Sequence, residues 1–183
     1  MFKKVLTEIP LFHGEVKMPK GFEIDRSKLK ADILSSYNLN NSVSNNPYDY
    51  KILDYEVPFS RTLDMLNKYI IEHINVEFNF KLNNQNSFGN IFYENEQSFL
   101  RSTVNRMHLS DSPDFTMVYG VDIYDESCIL VIEYDDNKIK GQTWHVPLVN
   151  NSFYIFPSNL KYFIGKNTSK QINTVLTTNF EKK

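Results

Sequence analysis

The chain has 183 residues, of which 41% are apolar, 14% aromatic and 23% charged, with a formal net charge of -2. That is the length of one domain, large enough to bury a core without a disulfide or a metal. The near-neutral balance leaves no electrostatic footprint for a nucleic-acid backbone or an anionic membrane, and a single cysteine, Cys128, excludes an internal disulfide and a cysteine-based zinc site.

No run approaches the ~20 apolar residues that a membrane-spanning helix needs. The N-terminus, Met-Phe-Lys-Lys-Val-Leu-Thr-Glu, is basic but lacks the apolar stretch of an export signal. The expected location is a cytoplasm, or an assembly built in one.

Residues 2–18 read as an extended arm, with Val5, Ile9, Leu11, Phe12 and Val16 apolar and Pro10 restricting it to a sheet edge. Pro19-Lys20-Gly21 is a turn. Leu29, Ile33, Leu34 and Tyr37 share one face of a helix over 27–37, with Ser27 as its cap. Residues 38–49, dominated by Asn and Ser, read as a polar loop suited to a partner contact. Leu63, Leu66, Ile70 and Ile74 repeat at helical spacing over 60–74, with Ser60 as N-cap.

After that helix the period changes to two: Val76, Phe78 and Phe80 alternate with Glu77, Asn79 and Lys81. Short β-type runs follow at 88–93, 99–106, 115–123, 127–134, 142–148, 152–156, 161–164 and 171–180. Turn clusters at 110–113, 135–138 and 165–168 separate them. Roughly eight short strands in about a hundred residues imply a sandwich, barrel or jelly roll with the helices outside. The expected organisation is one domain, with arm and helices over 1–75 and a β core over 76–183. Cys128 opens an apolar run, Cys-Ile-Leu-Val-Ile, and reads as a small buried hydrophobe.

Three of the four histidines read as structural: His13 in the arm, His73 on the second helix, and His145 after Trp144 at a strand end. His108 differs. It ends a strand-like run and opens a polar turn, His108-Leu-Ser-Asp111-Ser-Pro-Asp114. A facial metal triad in a β-barrel begins with a His at a strand end, then a carboxylate or second His two residues on, then a distal His on a later strand. Ser110 holds the second position, and Asp111 stands one residue further, where an extended chain points its side chain differently. Near the C-terminus, Phe156-Pro157-Ser158 joins two strands, and Gln171 through Phe180 reads as a closing strand.

These pieces together resemble the Fe(II)/2-oxoglutarate-dependent oxygenase family, in particular its small prolyl-hydroxylase-like members found in marine T4-like bacteriophages. The resemblance rests on Ile9-Pro10-Leu11-Phe12-His13-Gly14, on Ser87 through Tyr93, on His108 followed by Met117-Val-Tyr-Gly-Val121, on Phe156-Pro157-Ser158 with Leu160, and on Gln171 through Phe180. It implies an α+β, mainly β fold: a double-stranded β-helix (jelly-roll) core with N-terminal helices packed outside. It also implies where the family's chemistry would sit. The metal-site positions are His108, Ser110, Asp111 and Tyr162, the last standing where the family has its distal histidine. The co-substrate position, basic in the family, is Gln171, with Lys170 beside it.

A neutral phenol is a poor Fe(II) ligand, and a neutral amide holds a carboxylate about half as strongly as a cation does. The expectation is therefore a degenerate, non-catalytic scaffold with no cofactor. Its expected role is structural, in contact with other protein subunits of a bacteriophage virion (neck, tail or baseplate). The alternative is an active Fe(II)/2-oxoglutarate dioxygenase using His108, Asp111 and His145 as ligands and Lys170 for the co-substrate. A third reading is a small-molecule or glycan pocket with Trp144 and Tyr119 as stacking residues.

Overall fold

The computed structural model describes residues 9–17, 21, 23–43, 55–78, 81–104, 109–135 and 142–183. In chain order the elements are β1 (Phe12–Glu15), α1 (Arg26–Val43), β2 (Tyr55–Glu56), α2 (Arg61–Phe78), β3 (Leu82–Phe92), a 3-10 turn (Leu109–Asp111), β4 (Phe115–Asp122), β5 (Ile129–Asp135), β6 (Gln142–Pro147), β7 (Ser152–Pro157), β8 (Lys161–Ile164) and β9 (Asn173–Lys182). They form an antiparallel six-stranded sheet, β1-β7-β4-β9-β3-β2, and an antiparallel three-stranded sheet, β6-β5-β8.

Strand alternation divides the large sheet's side chains between two cores. Met117, Tyr119, Val121, Phe153, Ile155, Leu176 and Phe180 face α1 and α2, joining Leu29, Ile33, Leu66 and Ile70. Val118, Tyr154, Phe156 and Val175 face the small sheet, joining Leu130, Ile132, Val146, Tyr162 and Ile164. β9 lies between β4 and β3, and residues 173–180 are all buried, so it has no solvent face. This is the double-stranded β-helix expected from the sequence, with the helices outside. Gly89 sets how near α1 approaches, because a Cβ there would collide with Ile33.

Several boundaries differ from the sequence reading. α1 runs on to Val43, so 38–43 is helix rather than loop; the remainder of the expected loop, 44–49, lies outside the described residues. Its cap is Asp25, whose Oδ1 accepts from the Lys28 N–H at 3.0 Å, and not Ser27. The Ser60 cap on α2 is present, with Oγ accepting from the Leu63 N–H at 3.2 Å. α2 continues through the segment expected to alternate: Val76 is 85% exposed on it, and Phe78 packs its ring 4.6 Å from Phe12. β3 begins at Leu82, earlier than expected, because the polar stretch Asn83–Ser87 pairs with β9 around a bulge between Asn84 and Asn86. The expected strand at 99–106 is reduced, among the described residues, to one bridge, Arg101 to Tyr162. Among the described residues no helix is long and apolar enough to cross a membrane.

Candidate functional site

One end of the barrel opens into a cavity of about 450 Å³. β3 contributes Asn86 and Phe88, β9 contributes Thr177 and Asn179, β8 contributes Tyr162, and the segment after β3 contributes Arg101. The inward positions here are polar although they are buried, so they must bond to one another or to something in the cavity.

Much of that demand is met by one network. Arg101 and Tyr162 exchange two backbone hydrogen bonds, of 2.9 and 2.8 Å. The Arg101 guanidinium carbon lies 5.0 Å from the centre of the Tyr162 ring, a cation-π distance. Its Nη2 donates to Asn90 Oδ1 at 3.0 Å, and Asn90 Nδ2 reaches the Thr177 hydroxyl at 3.5 Å. Thr116 Oγ1 lies 2.6 Å from the Thr103 hydroxyl and 2.8 Å from that of Ser158. Asn179 Nδ2 donates to Asn86 Oδ1 at 2.9 Å. The cavity thus holds a fixed cation among hydroxyl and amide groups, a combination suited to a small anion.

The structure brings some of the sequence-derived positions here. Tyr162 is 1% exposed, packed edge-on against Phe156 at 5.1 Å. Asp111 lines the rim, exposed, with Oδ1 accepting from the Ser110 hydroxyl at 3.2 Å. His108 lies outside the described residues. Gln171 and Lys170 are not in the cavity: they are exposed in the loop before β9, beyond the end of that strand opposite Thr177 and Asn179. The Gln171 N–H donates to Ser169 Oγ at 3.0 Å, and its carbonyl accepts from Asn167 Nδ2 at 2.8 Å.

The other candidates fall elsewhere. His145 is exposed on β6, with Nε2 3.0 Å from the Thr143 hydroxyl, so it does not join a ligand set in the barrel. His13 stacks on Tyr154, and His73 stacks on Tyr69 and pairs with Glu77 at 3.4 Å. Trp144 and Tyr119 line no common pocket, because they face opposite sides of the large sheet. Tyr119 is wholly buried and donates to Asn151 Oδ1 at 2.8 Å; burial pushes its phenol far above the usual range, with the Arg26 charge acting weakly the other way. Burial also raises the Cys128 thiol, although Asn173 bonds to its sulfur at 3.0 Å.

Arg101, Asn90, Thr177 and Asn179 were not legible as site residues from motif spacing. The usable signal was subtler: Thr177 and Asn179 are polar residues two apart in a closing strand that also carries Val175, Leu176 and Phe180. Buried polar groups on one strand face need internal partners or a ligand.

No family model matches the sequence, and no curated protein matches it. Solved structures do resemble the fold. AviO1 from Streptomyces viridochromogenes Tue57 superposes with a TM-score of 0.64 at 10% identity, over 93% of this chain and 89% of that one. A Pseudomonas putida prolyl-4-hydroxylase gives 0.61 at 11% identity, over 94% and 88%. The epimerase SnoN in complex with Fe3+, alpha ketoglutarate and nogalamycin RO gives 0.62 at 10% identity, over 93% and 78%.

These neighbours contradict the expectation of no cofactor, since SnoN is described as a non-heme alpha ketoglutarate dependent epimerase and is seen in complex with Fe3+ and alpha ketoglutarate. The two groups fit the described residues differently. No three His, Cys, Asp or Glu side chains come together as a metal site among the described residues. Tyr162, at the expected distal-ligand position, faces a guanidinium that would repel a divalent cation. His108, the expected histidine ligand, lies outside the described residues, and the described side chains alone assemble no iron site. An anion, by contrast, meets a cation and neutral donors in the cavity. Strand order, sheet pairing and these superpositions together give this chain the double-stranded β-helix fold of the Fe(II)/2-oxoglutarate-dependent oxygenases.

Proposed function

We propose that this protein binds a small carboxylate of the 2-oxo acid class in the cavity at the barrel mouth. The observation that carries the reading is Arg101, which lines the cavity and is fixed by its backbone exchange with Tyr162, its hydrogen bond to Asn90 and its stack on the Tyr162 ring. A preset guanidinium loses little side-chain freedom when it takes a carboxylate. Thr177 and Asn179 would supply neutral hydrogen bonds beside it, and Tyr162 holds the guanidinium plane. Bound there, the 2-oxo acid would bring a second carboxylate and a keto oxygen as further acceptors. No reaction step is assigned, because the described residues do not assemble a metal centre.

The test is titration calorimetry of the purified chain with 2-oxoglutarate, with and without Fe(II), and with succinate. Binding that Arg101→Gln abolishes supports the reading. No heat with either dicarboxylate, or equal affinity in Arg101→Gln, overturns it.

A second reading is a subunit of a larger protein assembly. It is favoured by Phe99 and Leu100, neighbours in sequence that are 71% and 49% exposed just before Arg101. The mass of the native particle in solution tests it: a strict monomer at all concentrations counts against self-assembly.

A further inference from the structure

A second cavity, of about 240 Å³, lies between β3 and α2 and shares Gln85 and Asn86 with the rim of the first. At its wall is Asn67, 3% exposed. Neither its Oδ1 nor its Nδ2 has a hydrogen-bond partner among the described residues. A buried amide with both ends unmet is a costly arrangement that folded proteins rarely keep without a use. The same cavity is lined by Asn84, Gln85 and Asn86 of β3, by the carboxylates Glu56 and Asp64, and by Phe59. Phe59 is 82% exposed at its edge.

We propose that this cavity is a binding site for a single neutral sugar ring. The chemistry of the wall selects the class. No lysine or arginine stands among the described lining residues, and two carboxylates do, so an anion is repelled. An apolar ligand would leave Asn67 as unpaired as it is now. A sugar hydroxyl both donates and accepts, which complements an amide that offers one donor and one acceptor group, and carboxylates accept from hydroxyls without exchanging a proton. The exposed Phe59 ring offers an apolar face for the C–H side of a pyranose. The volume is below the ~300–1,000 Å³ of pockets for drug-sized ligands, which argues for one ring rather than an oligomer.

The experiment follows the side-chain amides of Asn67 and Asn84, which line this cavity and not the barrel mouth, by 1H-15N NMR while methyl glucopyranoside, methyl mannopyranoside and methyl galactopyranoside are added in turn. Saturable shifts of these amides with at least one glycoside are expected. Asn67→Leu and Phe59→Ala should each weaken that binding roughly tenfold or more. Arg101→Gln should leave it unchanged, so this site and the barrel-mouth site stand or fall separately. Asn67→Leu should also raise the melting temperature, because it removes two unmet polar atoms; if that variant does not fold, Phe59→Ala on its exposed ring carries the test. Silence of both amides with every glycoside overturns the proposal. So does wild-type affinity in both variants, or shifts produced by succinate in place of the sugars.

Discussion

Arg101 and Tyr162 are joined twice, by reciprocal backbone hydrogen bonds of 2.9 and 2.8 Å and by a guanidinium seated 5.0 Å from the ring centre. The pair fixes a cation at the barrel mouth, where a segment that forms only a single bridge meets β8. Arg101→Gln should remove carboxylate binding, at a cost of about 1.5–3 kcal/mol for the lost charged hydrogen bonds. Arg101→Lys keeps the charge but loses the planar stack and the fork, so calorimetry should place its affinity between the two.

Tyr162→Ala should cost about 3–5 kcal/mol of stability, the range for emptying a buried aromatic site. The ring is 1% exposed and packs on both Phe156 and Arg101. Urea denaturation of the variant checks it, and a loss below 1 kcal/mol would mean that the ring is not packed as described.

The helix caps give a paired test. Asp25→Ala should destabilise by about 1 kcal/mol, and Ser60→Ala by a similar amount, since each removes the acceptor for a first-turn N–H. Ser27→Ala should change little, because Ser27 already lies inside α1. Thermal melts of the three variants, read side by side, decide which residue caps α1.

Gly120→Ala should be severely destabilising. A Cβ at that position meets the backbone carbonyl of Val149, which has no flexible end to move aside. Overpacking of this kind costs ~1–3 kcal/mol, and a backbone clash falls at the upper end. Loss of soluble folded protein or a large fall in the denaturation midpoint is the expected result.

Alkaline pH should unfold the protein through Tyr119. Burial raises its phenol well above the ~10 of a free tyrosine. Above pH ~10 the unfolded chain gives up this proton while the folded chain keeps it, so the unfolded state binds fewer protons and stability falls as pH rises. The contribution is whole below that pH and is lost progressively towards the folded-state value. Tyr119→Phe should flatten the alkaline limb of a stability-pH curve, although it also gives up the bond to Asn151. Cys128, 0% exposed and with its thiol raised by burial, should stay unreactive to thiol reagents until the chain unfolds.

The β core was legible because apolar residues in short runs between turn clusters leave few alternatives: β4, β6, β7 and β8 lie within a residue of their expected bounds. The misread segments share a cause. Val76 and Phe78 alternate in sequence but lie on a helix whose end leaves Val76 in solvent. Asn83 to Ser87 look like a loop by composition, yet β9 supplies their partners from ninety-odd residues away, a contact no local window contains. At the barrel mouth, motif spacing led to Tyr162 and Asp111 and missed Arg101, whose place depends on a bridge to a strand far along the chain.

β9 occupies the middle of the large sheet although it comes after every other strand among the described residues. Until residues 173–182 have left the ribosome, β3 and β4 each present a bare edge, and the two halves of the sheet have nothing to join them. The nascent protein must therefore wait in an open, aggregation-exposed form, and it closes by inserting one strand between two others. Such long-range pairing predicts slow folding. A chain cut before Asn173 would lose its centre rather than its tail.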